Sequence, residues 1–165
     1  MNHILSKTLL LGVLGLFFTA CSPKITTLDS TSYFMVMKTE TIRFADSGFI
    51  KKTANDGYYI ELFSAGNALF WLLLEDGKVC SEDGCITQKN FIDSELSEYY
   101  PESILKNIIS KKPIFDSTNL IKTPNGFRQK LQKSRKYDIN YEVTKNSVYF
   151  KDNLNGILLN FKELH

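Results

Sequence analysis

The sequence predicts a mainly β domain (α+β) with one helical excursion: a strongly curved antiparallel sheet or unclosed β-barrel with a helical lid. Two observations predict the strands: apolar and polar residues alternate in several segments, and glycine-containing turn pairs separate those segments. A third observation predicts the excursion, because apolar residues recur at helical spacing over Asp93–Lys112. Strands do not alternate with helices, which argues against a parallel sheet. The turn pairs are Ser47-Gly48, Asp56-Gly57, Asp76-Gly77, Asp83-Gly84, Asn125-Gly126 and Asn155-Gly156.

Residues 1–20 have the layout of a secretory signal peptide. Lys7 precedes an uncharged run, Thr8–Phe18, whose 11 residues are too few to span a bilayer as a helix. The junction Phe18-Thr19-Ala20-Cys21 resembles the lipobox of bacterial lipoproteins, in which the cysteine is lipidated and becomes the first mature residue. The resemblance implies a covalent lipid on Cys21 that holds the chain to a membrane without a spanning helix.

The residue after the cysteine implies a location. In the lipoprotein sorting pattern, Asp at this position favours the inner membrane, so Ser22 implies the outer membrane, with the domain facing the periplasm. We expect a signal peptide over 1–20, a lipidated tether over 21–32 and a single β-rich domain over 33–165. Without residues 1–20 the chain loses one charge, Lys7, and keeps 19 cations and 18 acids, a net charge of +1. This balance gives no reason to expect a nucleic acid as a partner.

The first half of the domain is predicted to form strands. Tyr33–Phe44 is a long β-rich run, and Gly57–Ser64 alternates. Ala68–Leu74 is apolar on both faces, so one face meets a core and the other meets a helix, a ligand cavity or a membrane. Three apolar residues share one face of the second segment: Tyr58, Ile60 and Leu62.

The two cysteines that remain after Cys21 flank a turn. A hairpin of Lys78–Ser81 and Cys85–Gln88 places Cys80 opposite Cys85, close enough for a disulfide that an exported compartment permits. The alternatives are a redox pair or half of a metal site, but the chain offers no further cysteine and no interior histidine to complete a zinc site.

The helical excursion is predicted over Asp93–Lys112, as two short helices or one helix broken at Pro101. Asp93 suits a helix N-cap, Pro101 suits a first helical position, and Pro113 ends the segment. Ile114–Pro124 is then expected to be a connecting loop.

Three alternating segments close the chain. They are Tyr137–Thr144, Ser147–Lys151 and Gly156–Lys162, with a turn at Asp152–Gly156 between the last two. The expected inward residues are Tyr137, Ile139, Tyr141 and Val143, followed by Ile157, Leu159 and Phe161. About nine or ten strands are therefore expected in all.

Charge is segregated along the chain. Residues 75–102 carry eight acids and two lysines, whereas residues 103–136 carry nine cations and one acid. The cations at Lys130, Lys133, Arg135 and Lys136 either belong to a solvated hairpin end or contact anionic lipid headgroups or an acidic partner.

The sequence carries no motif for chemistry. His3 and His165 stand at the two ends, so catalysis by an interior histidine and a histidine-based metal site are excluded. Nucleotide-binding glycine loops, the nucleophile elbow and the zinc-protease motif are absent from the sequence. We expect no enzyme, no metal and no cofactor apart from the lipid on Cys21.

The order of elements resembles the LolA/LolB superfamily of lipoprotein carriers and receptors, over roughly Tyr33 to Leu164. The resemblance implies an unclosed β-barrel with a helical lid, and the predicted lipid anchor points to the LolB side. Ser64-Ala65-Gly66-Asn67 takes the place of a loop that in LolB carries an exposed leucine. Ala65 stands at the nearest position, and the cysteine hairpin is not part of the LolB pattern.

The function we expect is that of a membrane-anchored lipoprotein that binds an acyl chain or a lipoprotein, in LolB-like transfer of lipoproteins or lipids to the outer membrane. The alternative is a structural subunit of an envelope complex, LptE-like or a scaffold, with an envelope protein as partner and a filled core. Ala65 and Gly66 are candidates for a membrane-contact loop. The candidate acyl-chain cavity is lined by Tyr58, Ile60, Leu62, Phe70, Leu72, Leu74, Ile104 and Ile108.

Overall fold

The structure is a computed structural model that describes residues 26–165. It consists of one antiparallel sheet of eleven strands and two short helices. The strands are β1 Thr27–Lys38, β2 Arg43–Thr53, β3 Tyr58–Ser64, β4 Asn67–Glu75, β5 Lys78–Ser81, β6 Gly84–Thr87, β7 Leu120–Thr123, β8 Gly126–Lys133, β9 Tyr137–Thr144, β10 Ser147–Asp152 and β11 Ile157–Glu163. The helices are α1 Gln88–Glu95 and α2 Ile104–Ile109, followed by a 3-10 turn at Phe115–Ser117.

Two meanders make up the sheet. Strands β1 to β6 form the N-terminal half-sheet, β7 to β11 form the C-terminal half-sheet, and pairing of β1 with β11 joins them. The outermost strands, β6 and β7, do not pair with each other, so the predicted curved and unclosed sheet is confirmed.

The two ends of the sheet carry different sets of turns. The proximal end is where β1 begins, and it carries the β2–β3, β4–β5, β7–β8 and β9–β10 turns. The distal end carries the other turns, between β1 and β2, β3 and β4, β5 and β6, β8 and β9, and β10 and β11.

The core lies between one face of the sheet and the helical segment, residues 88–117. Alternate strand residues point inward, as the period of two requires, and the expected inward face of β9 and β11 is confirmed. Fully buried positions come from both sides of the core: Met35, Ile139, Phe150 and Leu159 from the sheet, and Ile92, Ile104, Ile108 and Ile114 from the helical segment.

The helical prediction was correct in kind and wrong in its boundaries. Thr87 rather than Asp93 caps α1, and its hydroxyl accepts a hydrogen bond from the Asn90 N–H at 3.2 Å. Asp93 lies inside α1, and Pro101 precedes α2 by three residues. The segment predicted as a loop contains the 3-10 turn and strand β7.

The N-terminal boundary and one turn also differ from expectation. Strand β1 begins at Thr27, within the stretch expected to be a tether, so the end of that stretch belongs to the sheet. Ser47-Gly48, expected to be a turn, lies in the middle of β2. Gly48 stands there because a Cβ would lie 2.7 Å from the Glu61 carbonyl oxygen of the neighbouring strand. The signal peptide and Cys21 lie outside the described residues.

Candidate functional site: a groove beside the helical segment

The residues expected to line an acyl-chain cavity lie together, but they form a packed core. Ile60, Leu62, Leu72, Leu74, Ile104 and Ile108 are buried, and Tyr58 and Phe70 are half-buried against them. A small cavity of about 20 Å³ remains among α1, α2 and strands β1, β3, β4 and β11. Small-molecule sites typically measure about 300–1,000 Å³, so this cavity holds no acyl chain with the helical segment in its present position.

A groove of about 400 Å³ opens at the distal end, above that cavity. Its walls are the β4–β6 edge of the sheet, α1 and the β1–β2 turn. The groove has an apolar floor and a polar rim that includes Asp83 and Glu95. The apolar side chains are Ile42, Phe70, Leu72, Val79, Ile86 and Phe91.

The groove and the cavity share part of their lining. Ile42, Leu72 and Phe91 contribute to both, as does Glu95 at the rim. Phe91 lies on α1, so a displacement of α1 away from β4 joins the two spaces. The arrangement is chemically suited to an apolar chain that enters from the groove and continues under α1.

Polar contacts of Glu95 hold α1 at the mouth of the groove. The hydroxyl groups of Thr39 and Thr41, at the β1–β2 turn, both donate to Glu95 Oε2. Thr39 is buried, but its contact is long, at 3.4 Å, whereas Thr41 is exposed. A long hydrogen bond and one at a solvated position each contribute little net free energy, so this end of α1 is weakly fixed.

A disulfide stiffens the opposite wall of the groove. Cys80 and Cys85 are directly opposed in the β5–β6 hairpin, are joined by a disulfide, and have Cα atoms 4.0 Å apart. The turn between their strands has two residues, Glu82 and Asp83, because Ser81 already pairs with Gly84. Since β6 is an edge strand, the cross-link supports a wall that only one neighbouring strand holds.

The rest of the helical segment is fixed to the C-terminal half-sheet by buried polar groups. Asp152 is fully buried and accepts hydrogen bonds from the Tyr100 hydroxyl at 2.5 Å and from the Asp138 N–H at 3.0 Å. The buried side chain of Gln129 bonds both the N–H and the carbonyl of Ile114, each at 2.9 Å. The Tyr141 hydroxyl donates to the Lys112 carbonyl at 2.8 Å.

Burial and hydrogen bonding shift the pKa values of these groups. Burial of Asp152 favours its neutral form, but the hydrogen bonds from Tyr100, Asp138 and Asn155 prevail and lower the pKa of Asp152 below its usual range. Burial, together with the hydrogen bond to Asp152, raises the pKa of the Tyr100 hydroxyl well above its usual range. Burial alone raises the pKa of Tyr141 in the same direction. Asp152 is therefore an anion and both tyrosines are neutral near neutral pH.

The strand expected to be apolar on both faces, β4, meets the core on one face only. Leu72 and Leu74 point inward and are buried. Trp71 and Leu73 are half-buried on the outside, where Trp71 stacks on Tyr59 with ring centroids 5.9 Å apart. Lys51 covers Tyr59 at 5.3 Å from the ring centroid and pairs with Glu61 at 2.8 Å. Neighbouring strands therefore shield the outer face in place of a helix.

The expected membrane-contact loop is a two-residue turn at the distal end. Ala65 and Gly66 are both exposed, with φ angles of 50° and 82°. Leu69, three residues further on, is 59% exposed because the pairing of β3 with β4 shifts register there. The exposure of Leu69 could not be predicted from the sequence, because it lies in a continuous run of apolar residues that shows no alternation.

Sequence reasoning missed several members of the site. Ile86, Phe91, Glu95 and Thr41 form groove walls and contacts, but they lie on three separate elements. A signal for the position of α1 existed in Thr87, a good N-cap residue three positions before Asn90.

Comparison with known families and proteins gives no match, and the described residues contain no cluster of metal-binding side chains. No family model matches the chain, and no curated protein matches it. Within residues 26–165 no cluster of His, Cys, Asp and Glu has the geometry to hold a metal ion. No helix in the same part of the chain is long and apolar enough to cross a membrane.

Proposed function

We propose that this chain is a lipid-anchored lipoprotein of the bacterial outer membrane that binds the acyl chain of a lipid or lipoprotein in the groove between β4–β6 and α1. The observation that carries the proposal is the shared lining of the open groove and the apolar cavity under α1. The predicted lipid on Cys21 supplies the anchor. The resemblance in element order to the LolA/LolB superfamily points to transfer of lipoproteins or lipids as the process served.

The mechanism follows from which contacts hold α1. An acyl chain enters between Ile86 and Phe91, displaces α1 from β4, and replaces the contacts of Phe91 and Leu96 with its own methylene groups. About 0.8 kcal/mol is gained for each methylene group that leaves water, so a few groups offset the loss of the Glu95 hydrogen bonds. The buried anchors at Tyr100 and Ile114 stay in place during this motion.

The test is binding of a fluorescent fatty-acyl probe to two matched variants. Ile86 and Ile121 lie on the two edge strands and are 47% and 52% exposed, but only Ile86 lines the groove. We expect Ile86→Gln to weaken binding about tenfold, as loss of apolar contact of about 1.4 kcal/mol does, and Ile121→Gln to leave it unchanged. Equal affinities of the two variants, or no binding by the wild type, would contradict an acyl site in the groove.

A second candidate is a structural subunit of an envelope complex. Its supporting observation is the nearly filled interior, together with the aromatic outer face of β2–β4. This function predicts one stoichiometric protein partner after affinity purification from membranes and no displacement of that partner by fatty acids.

A further inference from the structure

We propose that the proximal end of the C-terminal half-sheet is a docking surface for an anionic phospholipid bilayer. The proposal rests on the proposed lipid anchor for its geometry. The surface consists of Lys112, Lys122 and Lys145 with the exposed Leu164 beside them.

The three lysines belong to one surface because α2 draws their elements together. Lys106 on α2 contacts Asp56 of the β2–β3 turn at 2.8 Å. Just after the other end of α2, Lys111 Nζ donates to the Lys145 carbonyl at 2.8 Å. The Lys145 N–H in turn donates to Asn125 of the β7–β8 turn at 3.1 Å, next to the strand that carries Lys122. The helix therefore lies across the proximal end and places Lys112 beside the β9–β10 turn.

The charge of this surface is not neutralised by its neighbours. Lys112, Lys122 and Lys145 are exposed and take part in no ion pair among residues 26–165. Two acids at this end already form ion pairs with other lysines: Glu163 pairs with Lys111, and Asp56 pairs with Lys52 and Lys106. The other exposed acids toward this end are Asp29 on β1, Asp76 in the β4–β5 turn, Glu102 before α2 and Glu142 on β9, and none of them forms an ion pair with the three lysines.

The position of Thr26, where the described part of the chain begins, indicates which side of the domain faces the membrane. Thr26 lies at the proximal end, where its carbonyl accepts a hydrogen bond from the Ala54 N–H. Thr26 is five positions after Cys21, and such a stretch spans at most about 18 Å. A lipid on Cys21 therefore holds the start of β1 close to the headgroups, on the side of the molecule that carries the three lysines; lysines bind phosphates there and exposed leucines enter the interface. Leu28, 67% exposed, lies two residues after Thr26, and Leu164, 44% exposed, lies further along β1, where its N–H donates to the Ser32 carbonyl.

The cluster of cations noted in the sequence lies toward the distal end of the sheet. Lys133, Arg135 and Lys136 lie in or beside the β8–β9 turn, which is distal, and Lys130 lies in β8 three residues before that turn. Lys133 therefore serves as an internal control.

The experiment is a lysine-labelling footprint of the lipidated protein on vesicles. Protein is reconstituted into vesicles of phosphatidylcholine alone or with about one third phosphatidylglycerol, labelled with an acetylating reagent, and read by mass spectrometry. Lys38, Lys133 and Lys151 are the matched distal lysines, since they too are exposed and take part in no ion pair within the described range.

We expect labelling of Lys112, Lys122 and Lys145 to be about fivefold slower on the anionic vesicles only, and the protection to vanish in about 1 M KCl, where the Debye length is about 3 Å. Labelling of the distal lysines is expected to stay the same. Equal labelling of both sets, protection that ignores lipid charge, or protection of the distal set overturns the docking surface, while flotation with the vesicles keeps the anchor intact. Protein that does not float with vesicles overturns the anchor and the docking surface together.

Discussion

The two half-sheets hold the helical segment by different physical means. The C-terminal half-sheet uses buried polar groups: Asp152 on Tyr100, Gln129 on Ile114 and Tyr141 on Lys112. The N-terminal half-sheet holds the distal end of α1 by apolar packing and by the contacts of Glu95 with two threonines. A buried polar contact is costly to break because its partners are left without water, whereas a solvated one exchanges for water. We therefore expect the Glu95 end of α1 to move, while the other end of α1 is held by the buried Gln88, whose amide donates to the Glu102 carbonyl at 2.9 Å, and the Tyr100–Ile114 stretch stays in place.

The largest effect is expected at Asp152. Asp152→Ala leaves without an acceptor the buried Tyr100 hydroxyl and three N–H groups, those of Asp138, Leu154 and Asn155, so we expect the free energy of unfolding to fall by about 3 kcal/mol. Denaturant unfolding measures it. The matched change in the other half-sheet, Glu95→Ala, is expected to cost less than about 1 kcal/mol. Similar losses for the two variants would contradict the difference between the half-sheets.

Removal of the disulfide is expected to have the next largest effect. Replacing Cys80 and Cys85 by Ser releases a short loop, which lowers the free energy of unfolding by about 2 kcal/mol. The change also frees edge strand β6, so the affinity for an acyl probe falls, because the groove wall carrying Ile86 becomes mobile. Unfolding with and without reductant on the wild type provides the comparison. A variant that loses stability but keeps full probe affinity would show that the wall needs no cross-link.

Acid is expected to weaken selectively the buried polar contacts by which the C-terminal half-sheet holds the helical segment. Hydrogen bonds lower the pKa of Asp152 in the folded chain, so its ionised form stabilises the fold above the ordinary aspartate pKa of about 3.9. That stabilisation is lost as the pH falls through the lower, folded-state value. We expect Asp152→Asn to be about 1.5 kcal/mol less stable than the wild type at pH 7, and the gap to narrow below about pH 4. A gap independent of pH would contradict an ionised Asp152.

The smallest effect on stability, and the most specific effect on motion, is expected at Glu95. Glu95→Gln weakens the contacts with Thr39 and Thr41 and changes the free energy of unfolding by less than about 1 kcal/mol. Hydrogen exchange of the α1 amides should become several-fold faster, while exchange in α2 stays the same. Faster exchange in both helices would show that the helical segment moves as one body.

Strands with clean alternation were predictable from the sequence, and strands with polar or small inward residues were not. β9 and β11 alternate throughout, and both were identified with nearly correct boundaries. In β8 the inward position 129 is a glutamine, buried because it bonds the backbone of Ile114. In β2 the inward position 48 is a glycine, required by the close approach of β3. Both residues resemble surface or turn positions until their partners from distant parts of the chain are known.

The candidate site was predictable in part for a related reason. The apolar residues of β3, β4 and α2 were grouped correctly because each strand or helix shows its own apolar face. Whether that group encloses a cavity depends on how closely α1 packs on β4, which is a property of two elements together. The groove is a product of the β1–β2 turn, the β5–β6 hairpin and α1, and no local pattern connects these three segments.

The pairing of β1 with β11 has a consequence for the order in which the chain folds. Tyr33 is opposite Glu163, so the seam between the half-sheets joins residues that are far apart in sequence, whereas each meander pairs only neighbouring strands. Local contacts form fast and distant ones slowly. During synthesis β1 therefore presents a free strand edge until the last strand of the chain has emerged. We expect this edge, protected in the finished protein, to be the point at which newly made chains need a chaperone most.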